Sequence, residues 1–358
     1  LQWKPRVADA ASLVVPLQAV VEALLPCMGS IAERHADEDG DVDGSGDGDE
    51  EGGSAAFAAE SVRRIAAKPE DSTSEFGWQT RAWNAKSNDE KDRIYTEAIA
   101  AHPTSVMLLG NYARFLKNIR KEHDKAQEFY ERAIKADPNN AINLGSYAIF
   151  LKNIRKEHDK AQEFYERAIR ADPNNAINLG NYAYFLTDIR KEHDKAPEFY
   201  ERAIKADPSN AINLGNYAYF LTEIRKEHDK AQEFYERAIK ADPNHANNLG
   251  NYTKFLFERG KTESAHTMLD RAVAALNDNT VKAQRVETWM YAVCHWLPDK
   301  WREALTRLKS LLVEQKFTAS EGTFSGVIAR AKERGHPDAA WLDKLAIVCA
   351  GSAEPKSL

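Results

Sequence analysis

Apolar residues in the middle of the chain recur with a helical period, and the pattern itself is repeated. In Leu144–Asn178, Leu144, Tyr147, Ala148 and Leu151 fall at i, i+3, i+4 and i+7, one face of a 3.6-residue helix. A second stripe follows at Ala161, Phe164, Tyr165, Ala168 and Ile169. Arg155-Lys156-Glu157-His158-Asp159 between them is too polar for a core and reads as a turn. Asp159 is placed to cap the second helix, and Glu163 and Glu166 add negative charge near its start. Asp172-Pro173-Asn174-Asn175 ends it, because proline cannot continue the backbone ladder. The pattern predicts helix–turn–helix–turn, with each helix too short to stand alone in water.

The same 35 residues are written four times with few changes, as Leu109–Asn143, Leu144–Asn178, Leu179–Asn213 and Leu214–Asn248. A period of this length marks a solenoid, in which each unit buries its apolar face only against its neighbours.

Small residues at Ala148, Ala161 and Ala168, large ones at Leu144, Tyr147, Leu151 and Tyr165, and the closing Pro173 resemble the tetratricopeptide repeat. The set recurs at Ala113/Ala126/Ala133/Pro138, Ala183/Ala196/Ala203/Pro208 and Ala218/Ala231/Ala238/Pro243. The resemblance implies an all-α fold, a right-handed α-solenoid of stacked helix-turn-helix repeats. The step from Ala148 to Ala161 is one residue longer than the family's, so the extra residue is expected in the turn between the helices. A fifth unit, Leu249–Asn277, restores the shorter spacing at Thr253, Ala265, Leu269 and Ala272 but lacks the proline. Pro197, within the second helix of the third unit, is expected in its first turn, where its missing N–H has no partner to lose.

These patterns divide the chain into an N-terminal helical segment (1–35), an acidic disordered linker (36–54) and a degenerate repeat-like cap (55–105). The five-unit array (106–278) follows, then a degenerate unit with C-terminal capping helices (279–358). Lys91–Pro103 reads as the second helix of a worn unit whose first helix holds Trp78 and Trp83. Val286–Gln315 reads as another worn unit, followed by helices over Glu321–Arg334 and Pro337–Ala350. The apolar run Leu13–Leu25 is interrupted by Pro16, Gln18 and Glu22, too short and polar to span a bilayer. The chain starts at leucine, which leaves open whether it is a fragment of a longer protein.

Composition narrows the chemistry. Three cysteines, Cys27, Cys294 and Cys349, offer neither a disulfide framework nor zinc spacing, and fit a cytoplasmic, reducing compartment. A net charge of −6 does not attract nucleic acid or an anionic membrane. Asp39–Glu50 formally matches a calcium-loop pattern, but Gly46 stands where a branched apolar residue belongs, and a solvated linker is the better reading. His123, His158, His193 and His228 recur once per unit, too far apart for a metal ladder, and read as surface residues copied by duplication. Lys125, Glu128, Glu131 and Arg132 read as the solvated face of the second helix. No catalytic constellation stands out, so no enzyme activity, cofactor or metal is expected.

The positions where the copies differ point to function. Three lie on one face of the first helix: Arg114, Ile149, Tyr184 and Tyr219; Lys117, Lys152, Thr187 and Thr222; and Asn118, Asn153, Asp188 and Glu223. In the fifth unit Lys254 and Glu258 continue the face. In the tetratricopeptide family these positions point into a concave groove, so the resemblance implies that packing was copied while the groove diversified. Asn111, Asn181, Asn216 and Asn251 share the face and resemble an asparagine ladder that holds a peptide by its backbone; an amide both donates and accepts. Gly110, Gly145, Gly180, Gly215 and Gly250 beside them suggest close helix contact or close ligand approach. The expected function is a scaffold that binds a protein or extended peptide in the groove, with neither membrane nor nucleic-acid partners. Two rivals remain, the recognition arm of a larger enzyme and an RNA-processing helical repeat protein.

Overall fold

The computed structural model describes residues 73–277, 280, 282–295, 300–315, 324–336 and 339–350. The N-terminal segment, the acidic tract with its calcium-like pattern, Cys27 and the start of the proposed cap lie outside them. The described residues are helical throughout, without a strand. They divide into two compact units, 73–178 and 179–350.

The first compact unit holds α1 (Glu75–Trp83), α2 (Asn88–Ala101), α3 (Val106–Phe115), α4 (His123–Ala136), α5 (Ala141–Phe150) and α6 (His158–Ala171). Helix α7 (Ala176–Phe185) leads into the second, which continues with α8 (Ala196–Ala206), α9 (Ala211–Phe220), α10 (His228–Ala241), α11 (Ala246–Glu258) and α12 (Thr262–Ala275). Helices α13 (Lys282–His295), α14 (Trp301–Lys309), α15 (Ser325–Glu333) and α16 (Ala339–Cys349) complete it. They pack as sequential pairs, α3 on α4 and α5 on α6 in the first compact unit, α9 on α10 and α11 on α12 in the second.

The Asp-Pro-Asn-Asn turn both stops one helix and starts the next. The backbone N–H of Asp137 closes α4 on Ala133, and the Asn140 side chain then caps α5 by accepting from Asn143 N at 3.0 Å. Asn175 and Asn210 repeat this cap at 3.1 and 2.9 Å, and His245 substitutes its Nδ1 at 3.3 Å.

The extra residue of the long repeat lies inside the first helix, which corrects its expected place in the turn. Helices α3, α5, α7 and α9 each finish in a π turn, at Leu116–Arg120, Leu151–Arg155, Leu186–Arg190 and Leu221–Arg225. One inserted residue widens the last helical turn, a common use of π geometry. Glu122 N closes back on Leu116 O at 3.0 Å, six residues away, whereas in the fifth unit Lys261 N closes on Leu256 O at 2.9 Å, five away. In each long unit the closing residue is a lysine in the left-handed region, Lys121, Lys156, Lys191 and Lys226, with φ of 55–59°. The short unit uses Gly260 there, at φ 71°. A side chain in that region costs about 1–2 kcal/mol, partly offset by glycine's greater freedom in the unfolded chain. Lys156→Gly is therefore expected to raise stability by about 0.5–1 kcal/mol in urea unfolding.

The second helix begins at His158, with Glu157 at its boundary and no side-chain cap, so Asp159 does not take the capping position expected of it. Its counterparts make ion pairs instead: Asp124 accepts from Arg155 at 2.6 Å and Asp194 faces Arg225 at 3.6 Å. These arginines end the π turns, so the insertion aims them at the preceding repeat. Pro197 does sit in the first turn of α8, and that helix starts at Ala196, with residues 193–195 forming a turn instead.

Repeats join through aromatic rings. Tyr130, fully buried, packs on Tyr147 and Phe150 with ring centres 5.7 and 5.6 Å away. In the second compact unit Tyr200 meets Tyr217 and Phe220, and Tyr235 meets Tyr252 and Phe255, at 5.3–5.7 Å. The tyrosine hydroxyls reach back: Tyr147 donates to Glu131 at 2.9 Å, Tyr217 to Glu201 at 2.9 Å and Tyr252 to Glu236 at 3.0 Å. Glu131, Glu201 and Glu236 thus connect repeats while staying exposed on the second helices.

The conserved-in-copy glycines have a packing cause. Asn143, buried on α5, donates from Nδ2 to Val106 O on α3 at 3.1 Å. Asn178 reaches Ala141 O at 3.0 Å and Asn248 reaches Ala211 O at 2.9 Å. Each amide lies where a Cβ on the facing glycine would be. A methyl on Gly110 would come 2.0 Å from Asn143 Oδ1, and on Gly145 2.0 Å from Asn178 Oδ1; Gly180 and Gly215 repeat this at 1.9 Å with Asn213 and Asn248. The glycines admit the next repeat's asparagine, not a ligand.

Candidate peptide-binding face

The divergent positions all lie on first helices or their π turns, and each compact unit carries its own set. In residues 73–178 most are enclosed. Ile149 is 4% exposed, Lys117 7% and Lys152 3%. Asn111 is spent on a neighbour network: its Nδ2 donates to Gln79 Oε1 at 2.8 Å, and Arg114 donates to its Oδ1. Gln79 in turn donates to Tyr95 OH at 3.2 Å. Arg114, Asn118 and Asn153 are half-buried.

Two expectations change. Asn111 does not offer its amide to a peptide backbone, because both ends are engaged. Lys117 and Lys152 are not a free basic surface, so reversing their charge tests folding as much as steering. The copies show what the site accepts, since Thr187 and Thr222 occupy the same position, each buried and donating to the carbonyl four residues back at 2.9 Å. Lys152→Thr is accordingly expected to change stability by less than about 1 kcal/mol in urea unfolding.

In residues 179–350 the face is more open. Tyr219 is 39% exposed. Tyr184 is half-buried and donates to Asp188 Oδ2 at 3.4 Å; burial, then the Asp188 charge, raises its pKa. Asn216 and Asn251 are half-buried, while Asn181 is 7% exposed with no acceptor for Nδ2 among the described residues. Lys254 donates to Glu223 at 2.8 Å. Burial works to lower the lysine's pKa, but that bond and the surrounding carboxylates outweigh it, and it is raised. Asp188 also faces Lys191 at 3.6 Å and Glu223 faces Lys226 at 3.8 Å. Glu258 is exposed, makes no ion pair among the described residues, and has its pKa raised by partial desolvation; Lys254 opposes this and Glu223 adds to it.

Sequence patterning missed that α13 and α15 extend this face. Glu287 acts on Tyr219, and Tyr291 and Arg330 act electrostatically with Glu258. Only the packing of α13 beside α11 brings Tyr291 here.

Other candidate groups offer no chemistry. His123, His158, His193 and His228 sit half-buried at the starts of second helices or the equivalent turn. No group of three or more His, Cys, Asp or Glu among the described residues is arranged to hold a metal. Cys294 and Cys349 are buried, which pushes both thiols up to about 12 and keeps them protonated. Among the described residues no helix is long and apolar enough to cross a membrane.

Tetratricopeptide repeat models match residues 108–140, 155–211 and 224–290. The chain is a tetratricopeptide repeat protein, an all-α stack of helix-turn-helix units. Its fold is similar to that of Cut9 in the APC/C hetero-tetramer Cut9-Hcn1, at 12% identity and a TM-score of 0.55, covering 81% of this chain and 52% of that one. It is also similar to yeast Tom70, at 14% identity and a TM-score of 0.50, covering 92% of this chain and 78% of that one. No curated protein matches. The repeats support a protein-interaction scaffold.

Proposed function

We propose that the first-helix face binds an extended peptide segment of a partner protein, without catalysis, in the cytoplasm. One observation supports this above the others: the copies keep most contacts between repeats and change on this face. The aromatic joints, the glycine–asparagine contacts and the Tyr–Glu bonds recur almost unaltered, while Tyr184, Asp188, Tyr219, Glu223, Lys254 and Glu258 differ from their counterparts in residues 73–178. The degenerate units over 55–105 and 279–358 serve as caps, because terminal repeats must present one side to water.

The test is capture by the full chain from a native extract. Tyr184→Ala with Tyr219→Ala, and Asn181→Ala with Asn216→Ala, are each expected to weaken the captured partner about tenfold, the tyrosines through faster dissociation. Lys125→Glu with Glu128→Lys, on a second helix, is expected to leave capture intact. The opposite outcome would move the binding surface to the second helices and end this reading.

A further inference from the structure

The face of residues 179–350 carries three unanswered groups in consecutive repeats. On α7, Asn181 Nδ2 is a buried donor with no acceptor among the described residues, one turn before Tyr184. On α9, Tyr219 exposes an aromatic ring. At the end of α11, Glu258 is an exposed carboxylate with no ion pair among the described residues, whereas Asp188 and Glu223 already have lysines. A backbone carbonyl answers the first, a flat apolar or proline side chain the second, and a cation the third.

We propose that this face recognises an extended peptide with an apolar or proline residue on Tyr219 and an arginine paired with Glu258, running from α7 towards α11. The inference rests on the peptide-binding reading above and adds the chemistry and order of the ligand. Arginine fits better than lysine, because its planar fork matches a carboxylate and is more weakly hydrated. The spacing follows from the fold. Helices α9 and α11 touch, so their axes are about 8–10 Å apart, and an extended chain advances about 3.3 Å per residue. The apolar residue and the arginine therefore stand about three positions apart. Burial raises the pKa of Glu258, although Lys254, Arg330 and Lys226 act against the shift.

The probe is a random twelve-residue peptide library displayed on phage and selected on the full chain, with counter-selection on the Asn181→Ala/Tyr219→Ala/Glu258→Gln variant. Enriched peptides are expected to carry an apolar residue or proline about three positions from an arginine. A fluorescein-labelled synthetic peptide of that sequence is then measured by anisotropy. Citrulline for arginine, or Glu258→Gln, is expected to weaken it about tenfold, and Glu258→Arg to favour the version with glutamate at that position. Tyr219 and Glu258 are exposed, so unchanged melting temperatures for these variants separate binding from folding. Enriched peptides that need the three residues but show no cation preference overturn the arginine proposal and leave the peptide-binding reading standing. Peptides that bind the triple variant equally well, or no enrichment at all, overturn both.

Discussion

Gly145→Ala is expected to destabilise the chain by about 1–3 kcal/mol, although alanine is the better helix former. Three quantities set the sign. Alanine adds about 1 kcal/mol of helix propensity. The new methyl would lie 2.0 Å from Asn178 Oδ1 and 2.9 Å from its Cγ, so the amide must swing away. Asn178 then loses Ala141 O as an acceptor and, at 4% exposure, has no water to replace it, a cost of about 1–3 kcal/mol before any strain in the joint. Asn178→Ala removes the obstacle. The double variant is expected to be more stable than Gly145→Ala alone, with a coupling above about 1 kcal/mol in a urea double-mutant cycle. Additive effects would show that the glycine and asparagine do not meet, and would return the glycines to ligand approach.

That contact marks the limit of what periodicity shows. Both stripes of each helix pair, the stopping proline and the 35-residue period were legible, because burial repeats with the helical turn. The asparagine partner of each glycine was not, because Asn143 and Gly110 are 33 residues apart and only stacking joins them. The π turn was half legible. Counting from Ala148 to Ala161 reveals one extra residue, but helix widening and loop lengthening have the same count. The four lysines with positive φ carried no signal, since lysine has no preference for that region.

The candidate face was legible as a pattern of differences, less so as geometry. Its reach onto α13 and α15 was hidden because Glu287, Tyr291 and Arg330 have no counterpart in the clean repeats. Position alone also made Lys117 and Lys152 look exposed. A first-helix face lies partly beneath the next repeat, and a copy-to-copy change can record a buried substitution as readily as a surface one. The third variable position, Asp188 and Glu223, keeps partial exposure. Diversity on such a face is evidence of binding only after burial has been subtracted.

Acidification is expected to weaken the C-terminal helices through His295. Its ring stacks on Phe257 with centres 3.8 Å apart, it is 1% exposed, and neither nitrogen has a hydrogen-bond partner among the described residues. Burial, then the cationic side of His266 and Arg334, holds its pKa down to about 3, against 6.5 for the unperturbed side chain. The folded form therefore keeps His295 neutral while the unfolded chain takes up a proton. Its contribution is fully present above pH 6.5 and is lost as pH falls towards 3. Between pH 7 and 5 the loss is about 2 kcal/mol. Burial lowers the pKa of His266 and His245 as well, which adds loss of the same sign. Glu122 and Glu192, whose pKa values lie below 4.5, contribute nothing in this window. His295→Phe keeps a ring on Phe257 and removes both unsatisfied nitrogens. It is expected to raise stability at pH 7 and to erase most of the difference between pH 7 and 5. Solenoids open locally, so hydrogen exchange in α13 is the direct measurement, with urea midpoints of the full chain beside it. If α13 in His295→Phe opens on acidification as readily as in the parent, the sensitivity lies elsewhere, and a buried neutral histidine is not what ties this part of the stack to pH.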